Sequence, residues 1–157
     1  MPEVLRFAQK GLVLSLDGQS LLVSKYLTSK YLPTKLENKF CLPGGQLEWG
    51  QNPDESFISE IREETGITVT PLLPFYVWTW VYNKEDTSKQ IIAIARLALY
   101  ASGQIVPPAS EKETTIDVAR WMPIAEVKTK LNKFVIDEQP AIQKFLGYQA
   151  HNPFTPI

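Results

Sequence analysis

Cysteine and histidine are almost missing from this chain: Cys41 and His151 stand alone among 157 residues. One cysteine excludes an internal disulfide, so nothing in the sequence points to an oxidising compartment. A catalytic thiol would want a histidine partner, and His151 lies in the Pro-containing tail. Cys41 therefore reads as a packed structural residue, and His151 as a solvated tail residue. A basic excess is also lacking. There are 16 Lys and Arg against 17 Asp and Glu, a net charge of -1. A general nucleic-acid binder would show a strong basic surplus, so no nucleic-acid partner is expected. Local charge can still serve a small anionic ligand. No apolar run approaches the roughly 18 residues of a membrane span. The N-terminus MPEVLRFAQK has no apolar core of a signal peptide. A cytoplasmic location and no membrane partner are the default expectations. The sequence does not give an oligomeric state.

What is present suits one domain. Hydrophobic residues make up 44% and charged residues 21%, ordinary for a globular protein. The length is enough to bury a core without staples. There is no internal repeat and no linker, so residues 1–157 are expected to form a single domain, with about 148–157 as an irregular tail.

The elements alternate. Gly11 to Leu16 and Ser20 to Tyr26 flank Asp17-Gly18, a hairpin signal. Leu27 to Lys39 reads as a loop carrying Lys30, Lys35 and Lys39, with Lys25 just before it. That loop is either a solubilising surface or a basic patch for phosphate. Phe40 to Leu42 is a short strand, and Pro43-Gly44-Gly45 a turn. Phe75 to Tyr82 is a strand with Trp78 and Trp80 on one face. These two side chains are core, or else a platform on which a base can stack. Gln90 to Ala101 is a central strand, given its continuous apolar run. Ile116 to Met122 is a strand. Pro123 to about Leu131 and Asp137 to Leu146 are helices.

The most informative stretch is Leu42 to Ile67, LPGGQLEWGQNPDESFISEIREETGI. Its helix has clear ends: Asn52 as N-cap, Pro53 in the first position, Glu55 at the capping-box position and Gly66 beyond the last turn. At about 100° per residue, Phe57, Ile58 and Ile61 form the buried stripe. Glu60, Glu63 and Glu64 lie within about 100° of one another, beside that stripe rather than opposite it. Carboxylates there can face a cleft between helix and sheet. Arg62 points roughly 155° away from them and does not neutralise them. Three carboxylates so close call for a compensating cation, and oxygen ligands suit a divalent metal.

This stretch resembles the Nudix box of the Nudix hydrolases. Aligned on Gly45, the match takes in Glu60, Ile61, Glu63, Glu64, Gly66 and Ile67, with Pro43-Gly44-Gly45 and Glu48-x-Gly50 before it. Two positions depart: Gln51 stands for the first Glu of the pattern, and Ser59 for its bracing Arg. The resemblance implies an α/β (α+β) fold, an α/β/α sandwich with a mixed β-sheet. It implies hydrolysis of the pyrophosphate linkage in a nucleoside diphosphate derivative, a small-molecule nucleotide substrate, and a Mg2+ or Mn2+ cofactor. By the same resemblance Glu60, Glu63 and Glu64 are the catalytic and metal-binding set, helped by the carbonyl of Gly45. Glu111 and Glu113 are loop candidates for a further ligand or base. Lys25, Lys39, Trp78 and Trp80 are the candidates for substrate binding, with Tyr26, Phe75 and Lys35 as further options. The altered positions 51 and 59 keep open a second reading, a nucleotide-binding or sensing module with weak catalysis or none.

Overall fold

A computed structural model describes residues 3–28, 32, 34–81, 89–108 and 115–151. Glu111, Glu113 and Lys30 fall outside the described residues. Among the described residues seven strands form one mixed sheet: β1 (Val4–Leu14), β2 (Ser20–Lys25), β3 (Phe40–Cys41), β4 (Gly44–Leu47), β5 (Ile67–Val81), β6 (Lys89–Gly103) and β7 (Arg120–Pro123). Three α-helices accompany them among the described residues: α1 (Pro53–Thr65), α2 (Ile124–Thr129) and α3 (Gln139–His151). The strand order is β3-β2-β1-β6-β5, with β4 on β1 and β7 on β2. The pairing of β1 with β6 is parallel and that of β5 with β6 antiparallel, which makes the sheet mixed. None of the described helices is long and apolar enough to cross a membrane.

β6 is central, as its continuous apolar run implies, because both faces are covered. On one face Val13 and Ala98 pack with Phe57 and Ile61 of α1. On the other, Leu12, Leu14 and Ala95 pack with Phe134, Ala141, Ile142 and Phe145. Each of the Val, Leu, Ile and Phe side chains among them contributes roughly 1.5–3 kcal/mol by leaving water. Gly11 allows α1 its close approach: a Cβ there would lie 2.9 Å from the Ile61 Cδ1 atom.

Several element ends differ from expectation, each for a local reason. β1 starts at Val4, seven residues before Gly11, because its first half pairs with both β4 and β6. β5 runs back to Ile67 through Pro71 and Pro74. It is an edge strand, where a missing N–H is tolerated, and its register breaks at these prolines. β7 is shorter than Ile116 to Met122. Ile116 makes an isolated bridge to Tyr26, and the Asp117 carboxylate takes the Val118 N–H that a ladder would use. α2 stops at Thr129, and a 3-10 turn follows at Leu131–Lys133. α3 begins after a second such turn, tolerates Pro140 in its first turn, and continues to His151. Residues 148–151, expected in an irregular tail, are thus helical, with Phe75 packed edge-on to Tyr148 at 5.8 Å.

Candidate active site

α1 is built as its sequence dictates. The Asn52 side chain accepts from the N–H groups of Asp54 and Glu55, at 2.9 and 3.2 Å. Gly66 ends the helix in the left-handed conformation with φ 82°. At that end the Gly66 N–H donates to the Arg62 carbonyl and the Val106 N–H to the Thr65 carbonyl, at 2.8 and 3.1 Å, which satisfies two of the carbonyls a helix end exposes.

The three glutamates follow the order of the helical wheel. Glu64, nearest the apolar stripe, is only 4% exposed; Glu60, next round, is half-buried; Glu63, furthest round, is exposed. Glu64 Oε2 accepts the Gly44 N–H at 3.0 Å. Glu60 lies directly on Gly45, where a Cβ would stand 2.5 Å from its Oε2 atom. The Gly-Gly pair is therefore the opening of β4, laid against two carboxylates, rather than a free turn. Gly44 has φ 147° and abuts the Gln9 carbonyl, a place no side chain could occupy.

The altered positions have neutral partners. Gln51 Oε1 accepts the Glu48 N–H at 2.9 Å and closes the loop after β4. Ser59 Oγ donates to Glu63 Oε1 at 3.2 Å. Neither change strands a buried charge.

Glu60 and Glu64 open on a cavity of about 520 Å³. That volume is in the range of small-molecule sites. Its far wall is the sheet face carrying Ala8, Ile91, Trp78 and Trp80. Register puts these on one face, since Ala93 pairs with both Ala8 and Trp78, and Ile91 with Trp80. The two indoles stack at 6.4 Å and 25°. They are half-buried and pack against the small cluster of Ala8, Ile91 and Ala93. Tyr26 and Lys35 also line the cavity; Lys25, Lys39 and Phe75 do not. Lys25 sits over the Phe40 ring at 5.5 Å, and Phe75 packs against Phe145. Lys35 meets Asp137 at 3.9 Å across the mouth.

Sequence reasoning missed the polar floor. Lys10 Nζ lies 3.7 Å from Glu138 Oε1 and donates to the Leu42 carbonyl at 3.3 Å. The second Glu138 oxygen accepts the Leu42 N–H at 3.0 Å. Burial alone would depress the Lys10 ammonium, but Tyr26, Glu138, Cys41 and Glu64 around it hold it above its usual range. Burial also raises Glu138, against the pull of Lys10 and the Leu42 N–H. Cys41 beside them is pushed well above the usual thiol range, chiefly by burial, so it is inert at neutral pH. The available sequence signals were a lysine entering an apolar strand and a glutamate just before Gln-Pro, too little to pair residues so far apart.

Lys10→Met should cost about 3–5 kcal/mol at pH 8, because it leaves a buried carboxylate unpaired. The sign of the pH effect follows. Glu138 in the folded variant would titrate above its unfolded value, so the native state binds the extra proton. Stability then falls as pH rises from about 4.5 through the folded value. Urea unfolding should accordingly show a smaller loss at pH 5 than at pH 8.

A divalent cation suits the donors present. Among the described residues no three His, Cys, Asp or Glu side chains converge as a closed metal cage. Magnesium is usually held by only one or two carboxylates, with water and substrate phosphate filling the rest. Glu60 and Glu64, two hard oxygen donors on one cavity, fit that pattern. Glu63 would join them on exchanging the Ser59 hydroxyl for the ion.

Residues 6–145 match the NUDIX domain family. The chain belongs to that family, the Nudix hydrolases. A segment of 43 residues is 35% identical to the 8-oxo-dGTP diphosphatase of Escherichia coli (strain K12), covering 27% of this chain. The match spans 33% of that relative's length, about a third. The fold resembles a NUDIX hydrolase from Nitrosomonas europaea, with TM-score 0.67, 18% identity and coverage of 99% and 93% of the two chains. It also resembles the MutT protein of Methanosarcina mazei Go1, with TM-score 0.66, 18% identity and coverage of 98% and 99%. At such identity these likenesses establish the fold, the α/β/α sandwich on a mixed sheet.

Proposed function

We propose that this chain is a pyrophosphohydrolase that cleaves a nucleoside diphosphate derivative with Mg2+ or Mn2+. One observation carries the reading: Glu60 and Glu64 stand on Gly45 and Gly44 and face the same cavity as Trp78 and Trp80. A metal-bound anhydride and a stacked base would thus fit within one small-molecule volume.

Each part has a task. Glu60, Glu64 and the Gly45 carbonyl would hold the ion, with Glu63 on their solvent side. The ion supplies charge neutralisation for the phosphates and a more acidic water. The Gly44 N–H fixes one oxygen of Glu64 and so the direction in which its carboxylate faces the cavity. Trp78 and Trp80 offer a π-face to a base, a contact worth about 1–3 kcal/mol per base. Lys35, on the cavity lining, would meet phosphate. Lys25 and Lys39 would act only at longer range.

The test is a substrate panel with Mg2+ and with Mn2+: nucleoside triphosphates including 8-oxo-dGTP, nucleotide sugars, ADP-ribose and dinucleotide polyphosphates. The reading expects metal-dependent cleavage of at least one at ordinary enzyme rates. Calorimetric binding of a nucleotide that stays intact across the whole panel would overturn it, in favour of a sensing module.

A further inference from the structure

Ser59 stands where the box pattern has its bracing arginine, yet a buried arginine reaches the helix from the sheet. Arg96, on β6 and 8% exposed, contacts Asp54 Oδ1 through its Nη1 atom at 2.6 Å. The same nitrogen donates to Gln9 Oε1 at 3.1 Å, and Nη2 donates to the Leu72 carbonyl at 2.9 Å. The guanidinium also lies over the Phe57 ring, 5.1 Å from its centroid. Gln9 completes the grip by donating to the Pro53 carbonyl at 2.9 Å.

We propose that Arg96 is a positioning residue: from β6 it sets the axial and rotational placement of α1, and so the placement of Glu60 and Glu64 on Gly45 and Gly44. Asp54 and Phe57 are three residues apart and so share one side of the helix. A rigid, buried fork on both opposes sliding as well as rotation. A helix rises 1.5 Å per residue, so Glu60 and Glu64 stand about 9 and 15 Å beyond Asp54 on the same rigid rod. At its other end the helix brings Glu60 close onto Gly45, where a Cβ would stand 2.5 Å from the Glu60 Oε2 atom. A small slip at the first turn is therefore carried to the carboxylates. Ser59 cannot supply this restraint, since its hydroxyl bonds Glu63 within the same helix.

The kinetic part of the inference rests on the hydrolase reading; the structural part does not, and the experiment separates them. Asp54 is largely exposed, so Asp54→Asn leaves the core intact and is the first variant; Arg96→Lys and Arg96→Met follow. Three quantities are compared with wild type: kcat on the best panel substrate, the Mn2+ concentration that half-saturates the protein by electron paramagnetic resonance, and hydrogen exchange of the Gly44 amide. Positioning predicts kcat down about ten- to a hundred-fold with KM within about three-fold, Mn2+ half-saturation raised several-fold, and Gly44 exchange about ten-fold faster. Arg96→Lys should recover part of what Arg96→Met loses. A merely stabilising role predicts a lower melting temperature with all three quantities within two-fold of wild type in Asp54→Asn, and that result overturns the proposal. If no panel substrate is cleaved, Mn2+ binding and Gly44 exchange still decide it, and the hydrolase reading fails separately. If the Arg96 variants do not fold, Asp54→Asn alone decides.

Discussion

Glu64→Gln should lower kcat by about 10³-fold while the protein remains folded, the order expected for losing a proton acceptor or charge at the reacting centre. The substitution keeps the shape of the side chain. A neutral amide oxygen can still accept the Gly44 N–H, so the contact that ties α1 to β4 survives. What is lost is the negative charge, which is buried and confined to one side of the cavity. In such a place a charge acts strongly on an ion or a polyanion, because little water screens it. The melting temperature should change by only a few degrees. KM should move less than kcat, since the aromatic wall at Trp78 and Trp80 is untouched. A steady-state comparison at saturating Mg2+, alongside thermal unfolding, checks both halves.

The second large effect is a contrast between neighbours. Gly44→Ala and Gly45→Ala add the same methyl group, one residue apart, with different consequences. At Gly44 the backbone has φ 147° and the new Cβ would overlap the carbonyl oxygen of Gln9 on β1. Neither atom can move without breaking the β1–β4 pairing of Lys10 with Gly44 and Gln9 with Gly45. Strain of about 1–3 kcal/mol for the backbone adds to a similar overpacking cost. The protein should lose about 3 kcal/mol or more, enough to threaten folding. At Gly45 the methyl meets Glu60 Oε2 at 2.5 Å, the end of a flexible side chain that can swing away. Gly45→Ala should therefore fold nearly as well as wild type. It should nevertheless lose activity about 10²-fold, because a displacement of about 1 Å at the reacting centre is that costly. Denaturant midpoints and kcat measured on both variants should dissociate stability from turnover in this way. Equal stability losses at the two positions would mean that Glu60 is not free to yield.

The sequence carried α1 almost completely, because the determinants of a helix are local. Asn52, Pro53 and Gly66 mark its ends, and the wheel orders Glu64, Glu60 and Glu63 by distance from Phe57 and Ile61. The burial gradient of the three carboxylates follows from that order. The floor of the cavity was not legible, because Lys10 and Glu138 meet only through the fold. Arg96 was hidden in the same way: inside QIIAIARLALYA it breaks an apolar run, a signal that names no partner. The aromatic pair was half legible. Period two placed Trp78 and Trp80 on one face, while the choice between core and cavity depended on the sheet face they share with Ala8 and Ile91. α3 runs past the Leu146 end expected from the sequence and passes through Gly147 to His151.

The most direct test is Mn2+ binding to the wild type and to Glu60→Gln/Glu64→Gln, followed by electron paramagnetic resonance. With a metal seat formed by Glu60, Glu64 and the Gly45 carbonyl, wild-type protein binds the ion saturably, and the double variant, still folded, binds it far more than ten-fold more weakly. Equal Mn2+ affinity in the two folded proteins would contradict a metal site at the junction of α1 and β4.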